Sequence, residues 1–161
     1  YEDEKYAVWE EDLKVRNHEW NIYLLQSTGL LWDYFDVLNS MEEYIYVITT
    51  TGNYLDEYSP ISEYLDYFGI TEEFYESGGL WVIEDKEVTY KNLDSDFLYY
   101  DDLGECNLAV GSEGGNRNIT VDFQQYQRVT DGINILVYDK VLGKVVDAVG
   151  FNAQMNYAGA R

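Results

Sequence analysis

Cysteine, proline, histidine and positive charge are all scarce in this chain. The single Cys106 rules out an internal disulfide framework, so packing and hydrogen bonds must hold the fold. That scarcity suits a cytosolic protein and a surface domain that folds without bridges equally well. With one proline, Pro60, and no Ser/Gly-rich linker, no domain boundary can be placed. A length of 161 residues is enough for one domain with its own core. Only 10 Lys and Arg stand against 31 Asp and Glu, a net charge of −21. Such a surface repels phosphate backbones and anionic bilayers, so nucleic acid is excluded as a partner. No apolar run approaches the roughly 20 residues that a spanning helix needs, so no membrane insertion is expected. The chain opens at Tyr1 without an initiator Met or signal peptide, as an excised domain of a larger protein would.

What is present is apolar and strongly aromatic. A hydrophobic content of 46% and an aromatic content of 17% describe a folded globule rather than an acidic tail. Residues 1–32 show no clean period and read as an irregular or strand-bearing lead-in. The stretch "WDYFDVLNSME" places Trp32, Phe35, Leu38 and Asn39 at helical offsets behind Asp33, which predicts a short helix. "EYIYVITTT" reads as a buried strand. "SPISEYLDYFGI" is a signalled helix: Ser59 caps it, Pro60 takes its first position, and Ser62 and Glu63 fall in its first turn. Ile61, Tyr64, Leu65 and Phe68 make its apolar face, and Gly69 stops it. "LWVIED" and "EVTYKN" form a tight hairpin about Asp85-Lys86, and "NLAVGS" and "NITVDFQQY" add further strands. The order predicts an α+β, β-rich fold of two packed, mainly antiparallel sheets with short flanking helices.

The most telling segment is "GINILVYDKVLGKVVDAVGFN", residues 132–152. Ile133, Ile135 and Val137 share one face of its first strand, and Asn134, Leu136 and Tyr138 share the other. On the second strand Val145, Asp147, Val149 and Phe151 oppose Val146 and Ala148. A half-exposed strand alternates apolar with polar residues; these strands are apolar on both sides, as central strands covered on each face are. Asp139 to Gly143 make the turn, where Gly143 is free to take a positive φ.

Gly132, Asn134, Val137, Asp139, Gly143, Val146, Asp147 and Phe151 together resemble the hairpin pattern of the interleukin-like EMT inducer (GG) domain family. "VGSEGGNRNITVDFQQYQRVTDG", the strand–helix segment at 42–70 and "GGLWVIEDKEV" resemble the family's other segments, so the likeness covers roughly residues 33–152. That makes 33–152 the domain proper, with 153–161 as a tail. The chain departs from the animal members in two ways. Its hairpin follows the strand–helix segment, as in a circular permutation, and it lacks their disulfides. The later placement resembles extracellular modules of bacterial surface-polymer proteins. The resemblance implies a β-β-α fold, with Gly132, Asn134, Asp139, Gly143, Asp147 and Phe151 as structural motif positions. It also implies a secreted or cell-surface setting. A related glycosyltransferase stem domain binds glycan through an acidic residue after its first strand and an Arg before the next. Here those neighbourhoods read Thr49-Thr50-Thr51-Gly52 and Ser77-Gly78-Gly79-Leu80-Trp81, so only the aromatic Trp81 remains.

Motifs for chemistry are absent. His18 and Cys106 are the only Cys–His dyad available, and they come from unrelated regions. "GSEGGNRN" lacks the Lys-Ser/Thr ending of a phosphate loop and reads as a turn. "NLDSDFLYYDD" offers Asp94, Asp96, Asp101 and Asp102 without the glycine and terminal glutamate of a calcium loop. No metal, cofactor or catalytic residue is assigned. The 17 Tyr and 4 Trp are richer than a core of this size needs, and flat aromatic faces with polar edges suit the C–H faces of sugars. Trp81, Tyr75, Tyr99 and Tyr100 flank turns in this reading and are the candidate platform. The expected function is a non-catalytic extracellular module that binds a glycan or positions an enzyme on a cell-surface polymer. The alternatives are an interaction or signalling domain that meets a basic protein, and a small glycan-processing enzyme using paired carboxylates.

Overall fold

A computed structural model describes residues 2–51, 61–66, 68–70, 78–114, 116–152 and 158–161. In chain order the elements are α1 (Glu2–Gln26), α2 (Leu31–Ser40), β1 (Tyr44–Thr50), α3 (Ile61–Asp66), β2 (Gly79–Glu84), β3 (Glu87–Asn92) and β4 (Phe97–Asp102). They continue with β5 (Asn107–Glu113), β6 (Asn116–Val121), β7 (Gln124–Gln125), β8 (Ile133–Asp139), β9 (Lys144–Phe151) and β10 (Gly159–Ala160). All strand pairings are antiparallel. One sheet has six strands in the order β10-β9-β8-β1-β2-β3, and the other has four in the order β4-β5-β6-β7. The protein is therefore α+β and β-rich, with two antiparallel sheets.

The two apolar faces of the six-stranded sheet explain the layering. Tyr44, Tyr46 and Ile48 of β1, Trp81 and Ile83 of β2, and Ile133, Ile135 and Val137 of β8 pack under Leu31, Tyr34, Phe35 and Leu38 of α2. Leu65 and Phe68, at the end of α3, join that cluster. The alternate residues Ile45, Val47, Leu80, Val82, Leu136 and Tyr138 pack against Leu108, Val110, Ile119 and Val121 of the four-stranded sheet. The order is helices, six-stranded sheet, four-stranded sheet. Every residue of β1 and β8 is buried, as strands covered on both faces must be.

Four local expectations change. Residues 2–26 form a long helix rather than an irregular or strand-bearing lead-in. Its half-buried or buried positions Val15, His18, Ile22 and Leu25 face inward, while Trp9, Leu13, Trp20 and Tyr23 face outward. Apolar residues on opposite sides cancel any amphipathic period. Tyr99 and Tyr100, expected to flank turns, lie within strand β4. A bulge opposite Val137 and Tyr138 carries Val146 to the helix side, beside Asp147, so these two do not oppose each other. Finally, "NITVDFQQY" is broken by a turn at Asp122-Phe123 into β6 and β7. Ser59 and Pro60 lie outside the described residues.

The motif positions of the 132–152 hairpin carry the backbone and polar accounting. Gly132 has φ +115°, and a Cβ there would collide with the carbonyl oxygen of Phe151. The buried Asn134 carboxamide accepts from the backbone N–H groups of Arg128 and Val129 (2.9 and 3.0 Å) and donates to the Val129 carbonyl (2.8 Å), fixing the loop before β8. Asp139, fully buried, accepts from His18 Nδ1 (2.9 Å to Oδ2) and from the N–H groups of Val141 and Leu142 (2.8 and 3.0 Å). One carboxylate thus closes the hairpin turn and holds α1, and His18 in turn stacks on Tyr44 at 4.7 Å. Gly143, at φ +67°, completes that turn. Phe151 is fully buried, edge-on to Tyr34.

Asp147, opposite Val137 on β9, plays the corresponding part for the end of α1. It accepts from the Tyr34 hydroxyl (2.8 Å) and from Arg161 Nε (3.0 Å). The same guanidinium donates to the carbonyls of Leu25 and Thr28 (2.9 and 3.1 Å), where α1 ends and its last carbonyls lack helical partners.

Burial, then the Asp147 charge, raises the Tyr34 hydroxyl well above its ordinary range. Burial raises Tyr44 and Tyr46 in the same sense. A group whose folded pKa is raised contributes stability in full below its unfolded value, about 10 for Tyr, and loses it as pH climbs toward the folded value. The urea midpoint is therefore expected to hold steady from neutral pH to about 9 and to fall steeply above about 10. Tyr34→Phe should flatten that alkaline fall while lowering the unfolding free energy at neutral pH by the worth of its bond to Asp147, about 1–2 kcal/mol. Urea titrations across this range read both effects.

Candidate functional site

With both faces of the six-stranded sheet covered, the outer face of the four-stranded sheet is left open to solvent. Its register sets the side chains in rows. Leu98, Gly111 and Asn118 align across β4, β5 and β6. Tyr100, Ala109, Thr120 and Gln125 align across all four strands. Alternation sends Val110 and Ile119 inward to the core and leaves these residues outside. Small residues at Ala109 and Gly111 keep the middle strand low, so Leu98 and Tyr100, 65% and 68% exposed, rise at one side of the floor.

Phe123 stands at the other side and is fully exposed. It occupies a two-residue turn in which Asp122 and Phe123 both have positive φ (49° and 69°). Asn-Gly is the usual choice there. A bulky L-residue in that region costs roughly 1–2 kcal/mol, and an exposed phenyl ring gains no burial in return. The comparable turn at Asp85-Lys86 carries only polar residues. Between Tyr100 and Phe123 lies an open depression of about 490 Å³, lined also by Asn107, Ala109 and Thr120. A second depression of about 760 Å³ continues along the same face past Leu98, Gly111, Asn116 and Asn118. Among the described residues no Lys or Arg lines either one.

The carboxylates beside the first depression already serve the chain. Asp102 accepts from the Gly104 N–H (2.8 Å) and Asp122 from the Asn107 N–H (2.9 Å). At the far end of the face Asp96 accepts from the Gly114 N–H (2.6 Å). These acids cap turns. Among the described residues no group of three or more His, Cys, Asp and Glu is placed to hold a metal ion.

No protein-family model, characterised protein or solved structure gives a significant match to this chain.

The four platform candidates separate. Trp81 has 0% of its surface exposed and sits in the core between the six-stranded sheet and the helices. Gly79 opens β2, and β1 and β3 flank that strand. Tyr99 points inward, stacks on Tyr90 at 4.0 Å and joins the two sheets. Burial, with Asp101 beside it, pushes its hydroxyl up to about 12. Tyr75 lies outside the described residues. Of the three described candidates, Tyr100 is the one displayed on the open face. Thr50 and Gly79, from the two neighbourhoods set beside the stem domain, are joined by Gly79 N–H donating to Thr50 Oγ1 (2.9 Å) in a buried contact; Gly52 and Ser77 lie outside the described residues. Phe123, Leu98, Asn118 and Gln125 were not singled out from the sequence. The signal for Phe123 was an aromatic directly after Asp in a two-residue hairpin turn.

His18 and Cys106 are not brought together. His18 is bonded to Asp139 on the helix side of the six-stranded sheet, whereas Cys106 packs with the cluster between the sheets. Burial, followed by Asp122 and Glu105, raises the Cys106 thiol, which keeps it protonated and poorly nucleophilic. Iodoacetamide at neutral pH should therefore label the folded protein at least about tenfold more slowly than the urea-unfolded chain. Equal rates would contradict this environment for the thiol.

Proposed function

We propose that this chain is a non-catalytic carbohydrate-binding module, an extracellular accessory domain that seats a glycan of a cell-surface polymer across the outer face of its four-stranded sheet. The observation that carries the reading is Phe123, an apolar ring held in full solvent at a backbone cost, facing Tyr100 across a low floor. Two rings at the sides of an open groove suit stacking on the C–H faces of sugar residues. Asn107, Asn118, Thr120 and Gln125 offer donors and acceptors for ring hydroxyls, and a carboxylate oxygen beyond those capping turns accepts further. The groove is open along the sheet, which suits an internal stretch of a polymer. The acidic rim favours neutral or positively charged sugars over sulfated or uronic ones. As part of the same proposal, the hairpin's likeness to interleukin-like EMT inducer (GG) domains supports binding without chemistry.

Glycan-array binding tests the reading directly. The wild-type chain should bind neutral or amino-sugar polymers. Tyr100→Ala and Phe123→Ala should each weaken binding by about tenfold, the worth of one aromatic contact, without altering the unfolding free energy by more than about 0.5 kcal/mol. Absence of binding to every array sugar, or binding that survives both substitutions, would sink it.

A further inference from the structure

The outward side of α1 carries a second apolar stripe that nothing described in the fold covers. Its inward stripe, Val15, His18, Ile22 and Leu25, meets the sheet and α2. On the opposite side Trp9, Leu13, Arg16, Trp20 and Tyr23 follow one another at spacings of four, three, four and three residues. That alternation is the seam of a coiled coil, in which every member faces a second helix. The four apolar members are 62%, 42%, 59% and 63% exposed, and the rings of Trp20 and Tyr23 already stack at 5.5 Å. Scattered single apolar residues need no explanation; four large exposed apolar residues in one row along a helix, interrupted only at Arg16, mark an interaction surface. A helix with apolar stripes on two opposite sides is one that packs on two sides.

The flanks of the seam say what fits. Exposed Glu10, Asp12 and Glu19 border it, and Lys14 is engaged with Glu43 at 2.7 Å, leaving Arg16 as the seam's positive group. A second copy of this chain would bring acidic flanks against acidic flanks, each on a body of charge −21. Anionic membranes and nucleic acids are repelled for the same reason. We infer that α1 docks an amphipathic helix of a partner protein, apolar along its seam and basic at the flanking positions, in coiled-coil fashion. Its acidic flanks then set partner choice and speed encounter, while the Trp and Leu residues supply the buried contact. This surface belongs to the helical layer, on the far side of the molecule from the sheet face proposed for glycan, and stands independently of that reading.

The probe is a synthetic amphipathic helix with Leu and Ile along its seam and Lys at the flanking positions, alongside the same peptide with Glu at those positions. Calorimetric titration of the full chain should show binding of the Lys peptide, weakened by added salt, and none of the Glu peptide. The double variant Trp9→Ser, Trp20→Ser removes only exposed side chains and should lose about tenfold or more in affinity with an unchanged circular dichroism spectrum. A triple variant Glu10→Lys, Asp12→Lys, Glu19→Lys should transfer preference to the Glu peptide. Failure to bind the Lys peptide, equal binding of both peptides, or self-association of the wild-type chain that the Trp variant abolishes would each overturn the proposal.

Discussion

Two carboxylates buried in one hairpin, Asp139 at the end of β8 and Asp147 within β9, must find hydrogen-bond donors inside the protein, and the placement of the helical layer follows from where those donors come from. A carboxylate without partners in an apolar interior is among the costliest groups a fold can contain. Asp139 meets this demand with His18 and two turn amides, and Asp147 with Tyr34 and Arg161. Each carboxylate therefore draws a different part of α1 onto β8 and β9, one near its middle and one at its C-terminal end through the Leu25 carbonyl. Between them Ile22 and Leu25 add modest apolar contact. The long helix is held as much by this polar accounting as by hydrophobic burial, because much of its remaining surface is acidic or faces outward.

That arrangement also decides which surfaces remain free. The six-stranded sheet is spent on both sides: helices take one face, and the four-stranded sheet takes the other. What stays open is the outer face of the small sheet, with its paired aromatics, and the outward ridge of α1. The two surfaces lie in opposite outer layers, so the two proposed partners would approach from different directions. A β-rich centre whose hairpin side chains contribute mostly architecture is consistent with such a role.

The residues that were legible are those whose local chemistry and tertiary role agree. The 132–152 hairpin announces central strands because it is apolar on both faces and has glycine where the backbone needs it. Asp85-Lys86 marks a two-residue turn between strands of good β composition. The α1 helix was illegible because its inward and outward stripes cancel, leaving charge as the visible pattern. Strand β4 was obscured by the aspartates at 94, 96, 101 and 102, whose density suggested a solvated loop; Asp96 and Asp102 instead cap turns beside it. Trp81 looked superficial because Gly78 and Gly79 precede it, yet Gly79 already belongs to a strand flanked on both sides in the sheet. Phe123 carried no helical or strand signal at all, since its significance lies in a backbone conformation that phenylalanine rarely adopts.

Native-state amide hydrogen exchange in the double variant His18→Ala, Arg161→Ala tests the central claim most directly. If the paired carboxylates hold α1, its amides should lose most of their protection while those of β1 and β8 remain slow to exchange. An unchanged α1, or loss of protection in α1 and the strands together, would contradict the account.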